Sequence, residues 1–116
     1  ITEAWCGDAA QNLPWIHHLA QLNKDIELSL ILRDENLDIM DQFLTNGGRS
    51  IPKLIGLSAD NEILFSWGPR PQLMQETYTT MKAAGMEYAE ISETIHRMYA
   101  KNNGKAFQDE LLTLLQ

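Results

Sequence analysis

The sequence predicts an α/β fold: a mixed sheet of four strands, part parallel and part antiparallel, followed by a region of helices alone. Three observations point to it. Strand-like and helix-like patterns alternate over residues 1–32, a strand–turn–strand pattern occupies residues 53–67, and beyond residue 70 every apolar stripe has helical spacing.

Residues 1–5 (Ile-Thr-Glu-Ala-Trp) read as the end of a strand running into a turn at Cys6. Ile1 lies inside that strand and is not a methionine, so further residues of the parent chain are expected upstream. A helix fits residues 8–23, with Ala9, Leu13, Ile16 and Ala20 on one face and Pro14 inside, where it removes a hydrogen bond and bends the axis. Lys24-Asp25 breaks it. Ile26–Leu32 alternates at first and is then continuously apolar, as a mostly buried strand would be. Strand, helix and strand of these lengths imply a right-handed βαβ unit with parallel strands. Leu37, Met40 and Leu44 mark a second helix, ended by Asn46-Gly47-Gly48. Lys53–Leu57 and Glu62–Trp67 read as antiparallel partners across a turn at Ser58-Ala59-Asp60-Asn61.

After Gly68-Pro69-Arg70-Pro71 three helical stripes follow. The first is Leu73, Thr77, Met81 and Ala84, broken at Gly85; the second is Tyr88, Ile91, Ile95 and Met98, broken at Asn102-Asn103-Gly104; the third is Phe107, Leu111 and Leu114. Such stripes are packing faces. Residues 69–116 therefore read as a helical extension packed on a core of residues 1–68 within the same domain, because so short a stretch makes a poor independent domain.

Composition narrows the function classes. A chain of 116 residues without an apolar run of 18 or more holds one domain and no membrane-spanning helix in the sequence shown. Its net charge of −7, of which −6 falls in residues 1–69, argues against a nucleic-acid partner, since phosphate binding needs a basic face. The charge reads simply as solubility. One cysteine excludes an intrachain disulfide and a cysteine-based zinc cluster.

That cysteine is well placed for chemistry. Cys6 lies where a strand hands over to a helix, so helix N–H groups and the positive end of the macrodipole point at its sulfur and favour the thiolate, the nucleophilic form. Gly7 permits the tight entry into the helix, while the negative charge of Asp8 opposes the thiolate. The plain alternative is a small buried hydrophobe. A second feature is Ser50-Ile51-Pro52-Lys53, a proline opening a strand after a glycine-rich turn. Only about 5–6% of X–Pro bonds in folded proteins are cis, so the residues alone predict a trans Ile51–Pro52 bond.

Taken together, Trp5-Cys6-Gly7, the proline at position 14 and Ile51-Pro52 before a hairpin resemble the thioredoxin family over roughly Ile1 to Trp67. Trp5-Cys6-Gly7 resembles the opening of the family's active-site helix, Pro14 its kinking proline, and Ile51-Pro52 the Ile-Pro whose cis bond faces the cysteine. The resemblance implies a three-layer fold with helices on both faces of the sheet. It also implies that Cys6 is the attacking sulfur, that Ile51 and Pro52 offer backbone to an extended substrate, and that Trp5, Gly7 and Asp8 line the site. Two departures limit this. Ala9 stands where the resolving cysteine belongs, so a mixed disulfide cannot be released by internal attack, and Asp8 replaces the usual proline.

A single-cysteine thiol redox protein is thus the expected function, similar to bacterial, cytoplasmic thioredoxin-like proteins with a Trp-Cys-Gly-Asp motif and extra C-terminal helices. Its implied partners are protein or low-molecular-weight thiols and disulfides, with no cofactor, nucleic acid or membrane. The alternative is a redox-inactive binding or scaffold module that uses the Trp5/Ile51 groove or the helical extension. A glutathione-transferase-like enzyme ranks last, because the helical part is too short. No metal site is expected: His17 and His18 are adjacent on a helix and point in different directions, and His96 has no ligand motif around it. Gly47-Gly48-Arg49 follows a helix and precedes a strand, whereas phosphate loops open helices. Met40, Met74, Met81, Met86 and Met98 read as core.

Overall fold

The structure, a computed structural model, describes residues 1–115. By internal packing the chain divides into two compact units, Ile1–Pro69 and Arg70–Gln116. Among the described residues no helix is long and apolar enough to cross a membrane.

The first unit begins with a two-residue stretch that is hydrogen-bonded to two other segments. Thr2 N–H donates to Ile31 O and Thr2 O accepts from Arg33 N, both at 3.0 Å, which makes a parallel bridge between Thr2 and Leu32. Ile1 exchanges hydrogen bonds with Lys53, from Lys53 N to Ile1 O at 3.0 Å and from Ile1 N to Lys53 O at 2.7 Å. The chain then turns, with Cys6 N donating to Glu3 O at 3.2 Å, and enters α1, Gly7–Gln21. Ala9, Asn12 and Ile16 are the buried residues of α1. Buried Asn12 is satisfied by donating Nδ2 to Asp8 O at 2.9 Å. Pro14 lies inside α1 and cannot donate to Ala10 C=O, but Ala10 is exposed and water can take that carbonyl.

Several expectations for this unit are corrected. Instead of a four-stranded mixed sheet, the continuous ladder among the described residues is a two-stranded antiparallel hairpin of β1, Leu54–Leu57, and β2, Ile63–Trp67. Ile26–Leu32, expected as a mostly buried strand, pairs only through the Thr2 bridge and leaves Ile26, Leu30 and Leu32 exposed. The physical reason is local. Downstream of Thr2 the chain turns away at Ala4-Trp5, and an apolar run does not reveal which residues lie alongside it. The second helix is also shorter than its stripe. After a 3₁₀ turn at Arg33–Glu35, α2 covers Leu37–Met40, and the bonds then tighten to Gln42 N→Ile39 O and Phe43 N→Met40 O. Asn46-Gly47, expected to end that helix, instead forms a two-residue turn in which Thr45 and Gly48 exchange hydrogen bonds at 2.9 Å. Both central residues have positive φ, as a type I′ turn requires.

In the hairpin, Leu54 faces Trp67 and Gly56 faces Phe65; the register then slips so that Leu57 faces Ile63 and Leu64 bulges out. Ser58 Oγ accepts from the N–H groups of Asp60 and Glu62 and builds the turn from its side chain.

The second unit is helical: α3 Gln72–Ala83, α4 Tyr88–Asn102 and α5 Lys105–Leu114. α3 ends in a Schellman motif, with Gly85 at φ +76°, Gly85 N bonding to Lys82 O and Met86 N to Met81 O. Buried Met74, Ile91, Ile95 and Tyr99 form one cluster, against which Tyr78, Met81 and Met98 pack. The face of α3 is therefore Met74, Tyr78 and Met81. Of the expected stripe of Leu73, Thr77, Met81 and Ala84, Met81 keeps its place, Met74 and Tyr78 stand where Leu73 and Thr77 were expected, and Leu73 and Ala84 are exposed. On α4, Tyr88 is exposed and Tyr99 takes its place in the stripe. Glu110 on α5 accepts from Gln72 N at 2.7 Å, placing a carboxylate on the N-terminus of α3.

Candidate functional site

Cys6 is the N-cap of α1. Its backbone is extended (φ −79°, ψ 120°) and its sulfur accepts from Ala9 N at 3.5 Å, the role that serine or aspartate plays at other helix starts. The same sulfur donates to Ile51 O at 3.4 Å. The thiol therefore sits between a helix N–H and the carbonyl that precedes Pro52, and it is half-buried. Around it, Trp5 is 66% exposed, Gly7 is exposed as the first residue of α1, and Asp8 is half-buried in its first turn. Ala9 is 1% exposed.

Ile51 and Pro52 are both buried, and the peptide bond between them is cis, not the trans form that proline statistics favour. Lys53 follows, a charged residue that is also buried. Its ammonium donates to Thr45 Oγ1 at 2.8 Å and to Gly68 O at 3.0 Å, and burial pushes its pKa below the ordinary lysine value. The ammonium ties the Asn46-Gly47 turn and the exit of β2 to the residue after Pro52.

Arg33 and Glu3 also belong to this region, and the residue pattern assigned neither of them a role. Arg33 Cζ lies 5.0 Å over the Trp5 ring, its Nη1 donates to Arg49 O at 3.1 Å and its Nε to Asp34 Oδ1 at 3.0 Å. Glu3 Oε1 accepts from Asp34 N at 2.9 Å. The available signal was a charged residue directly ending an apolar run, at Arg33, and a lone lysine opening an apolar strand, at Lys53. Nothing in the spacing says which loops these residues reach.

The structure thus brings Cys6, the first turn of α1 and the Ile51–Pro52 segment together. His17 and His18 are exposed on α1, and His96 lies on α4 with its ring 6.1 Å from that of Tyr99. What the arrangement offers chemically is a thiol held at a helix start beside a backbone carbonyl.

Comparison with curated proteins returned no match, and neither did comparison with solved structures. The family model described as Thioredoxin matches residues 1–82, well over half of the chain, and so includes α1, the Cys6 turn, the Ile51–Pro52 segment, the hairpin and most of α3. The chain belongs to the thioredoxin family.

Proposed function

We propose that this protein is a single-cysteine thiol redox protein in which Cys6 forms mixed disulfides with protein or low-molecular-weight thiol substrates. The observation that carries the proposal is the placement of Cys6 Sγ, 3.5 Å from Ala9 N and 3.4 Å from Ile51 O. As thiolate, Sγ attacks one sulfur of a substrate disulfide. The new Sγ–S bond forms as the substrate S–S bond breaks, and the departing thiolate takes up the proton that Cys6 gave to solvent. Ala9 N–H supports negative charge on Sγ. Once Sγ is bonded to a second sulfur it has no proton to donate, and Ile51 O is released to accept an N–H from an extended substrate segment. Trp5, largely exposed beside the sulfur, supplies an apolar rim. Ala9 offers no second sulfur, so an external low-molecular-weight thiol completes the cycle by attacking the mixed disulfide and restoring Cys6.

The test is exchange with glutathione disulfide, followed by mass spectrometry of the intact protein. The folded protein is expected to acquire one glutathione on Cys6 faster than the same chain in denaturant, and to lose it when reduced glutathione is added. A folded-state rate equal to or below that of the unfolded chain overturns the proposal and leaves a redox-inactive binding module as the reading.

A further inference from the structure

We infer that Arg33 is a positioning residue that fixes the two sides of the Cys6 site relative to each other, a role that rests on Cys6 acting as the attacking thiol. The backbone around Arg33 is anchored to the strand that leads into the site. Arg33 N donates to Thr2 O at 3.0 Å, and Asp34 N donates to Glu3 Oε1 at 2.9 Å. From that anchor the side chain reaches both ways. Its Cζ lies 5.0 Å over the ring of Trp5, the residue before Cys6, while Nη1 donates to Arg49 O, two residues before the Ile51 carbonyl that Cys6 contacts. Nε on Asp34 holds the guanidinium plane, and the side chain is 21% exposed although charged.

Only a guanidinium does both tasks at once. Its in-plane N–H groups serve Asp34 and Arg49 while its face covers the indole. A lysine supplies the charge without the fork. Trp5 is 66% exposed, so the ring gets little hold from burial and depends on such a contact for a fixed orientation. Arg33 thereby presents a set Trp5 face opposite a set Ile51 carbonyl, which matters for an extended peptide and not for a small reagent.

The experiment compares wild type, R33K and R33M, with circular dichroism as the folding control. The probe is a short peptide whose single cysteine is a mixed disulfide with thionitrobenzoate. Cys6 attacks the peptide sulfur and thionitrobenzoate leaves as a coloured thiolate. Both variants are expected to slow this reaction about three- to tenfold, while R33K keeps its rate with neutral iodoacetamide within about twofold. In protein labelled with 5-fluorotryptophan, the Trp5 resonance, assigned with W5F, is expected to move in both variants. Wild-type behaviour of R33K in both readouts overturns the inference and reduces Arg33 to a charge, as does an unmoved Trp5 resonance in either variant. If R33M does not fold, R33K alone decides. A wild-type chain that reacts with neither glutathione disulfide nor the peptide overturns the thiol function instead, and the fluorine resonance then decides the role of Arg33 by itself.

Discussion

If Cys6 is the attacking thiol proposed above, a single side chain at position 9 separates it from a pair that could complete a reductive cycle. The N–H of Ala9 is already directed at Cys6 Sγ, and Ala9 itself is buried. Replacing Ala9 with cysteine puts a second sulfur one helical turn from the first, where it can attack a mixed disulfide on Cys6. Ala9→Cys is expected to convert a protein without dithiol reductase activity into one that reduces insulin disulfides, seen as precipitation of the freed B chain. The added sulfur in a filled site costs at most about 1–3 kcal/mol, read from the urea midpoint. A folded Ala9→Cys protein that leaves insulin intact would show that the first turn of α1 does not hold the second sulfur within reach.

Among the elements, the exit of β2 tolerates little change. Gly68 has φ +121°, and a Cβ there would fall on the carbonyl oxygen of Pro52. Its own carbonyl accepts from Lys53 Nζ at 3.0 Å. Gly68→Ala must therefore either move the Pro52 carbonyl or bend β2 away. A destabilisation of at least about 1–3 kcal/mol is expected from the backbone conformation alone, together with slower exchange at Cys6 as the neighbouring Ile51 carbonyl shifts. A urea midpoint matching wild type would contradict it. The elements that were legible in the sequence are those set by local chemistry. α1 was announced by its stripe, the hairpin by its turn residues, and the breaks between α3, α4 and α5 by Gly85 and Asn103-Gly104. What was not legible depends on distant partners. Whether Ile26–Leu32 finds a ladder depends on how far residues 1–5 run beside it. Whether α3 buries Leu73 or Met74 depends on α4, because both faces carry apolar residues. The site divides in the same way. Cys6, Ile51 and Pro52 were visible through motif and order, whereas the reach of Arg33 to Trp5 and of Lys53 to Gly68 joins loops whose proximity no local pattern records.

Stability belongs to the whole molecule, and in the first unit it is coupled to pH through Lys53. Burial holds the Lys53 pKa below its ordinary value of 10.5, so between the two values the unfolded chain binds a proton that the folded chain has released. Stability rises with pH wherever the unfolded state binds more protons. The cost of burying the charge is thus fully present below the folded value and is relieved as pH rises through it toward 10.5. Lys53→Met removes this proton and also leaves Thr45 Oγ1 and Gly68 O without their donor, at a cost that does not change with pH. Tyrosines and the other lysines titrate in both proteins and cancel in the difference. Urea unfolding of both from neutral pH to about pH 10.5 is therefore expected to show wild type gaining stability relative to Lys53→Met as pH rises. The slope can be no steeper than about 1.4 kcal/mol per pH unit, the limit for one proton. Parallel curves would mean that the Lys53 ammonium is as well solvated in the folded chain as in the unfolded one, and that its two hydrogen bonds do not hold it out of water.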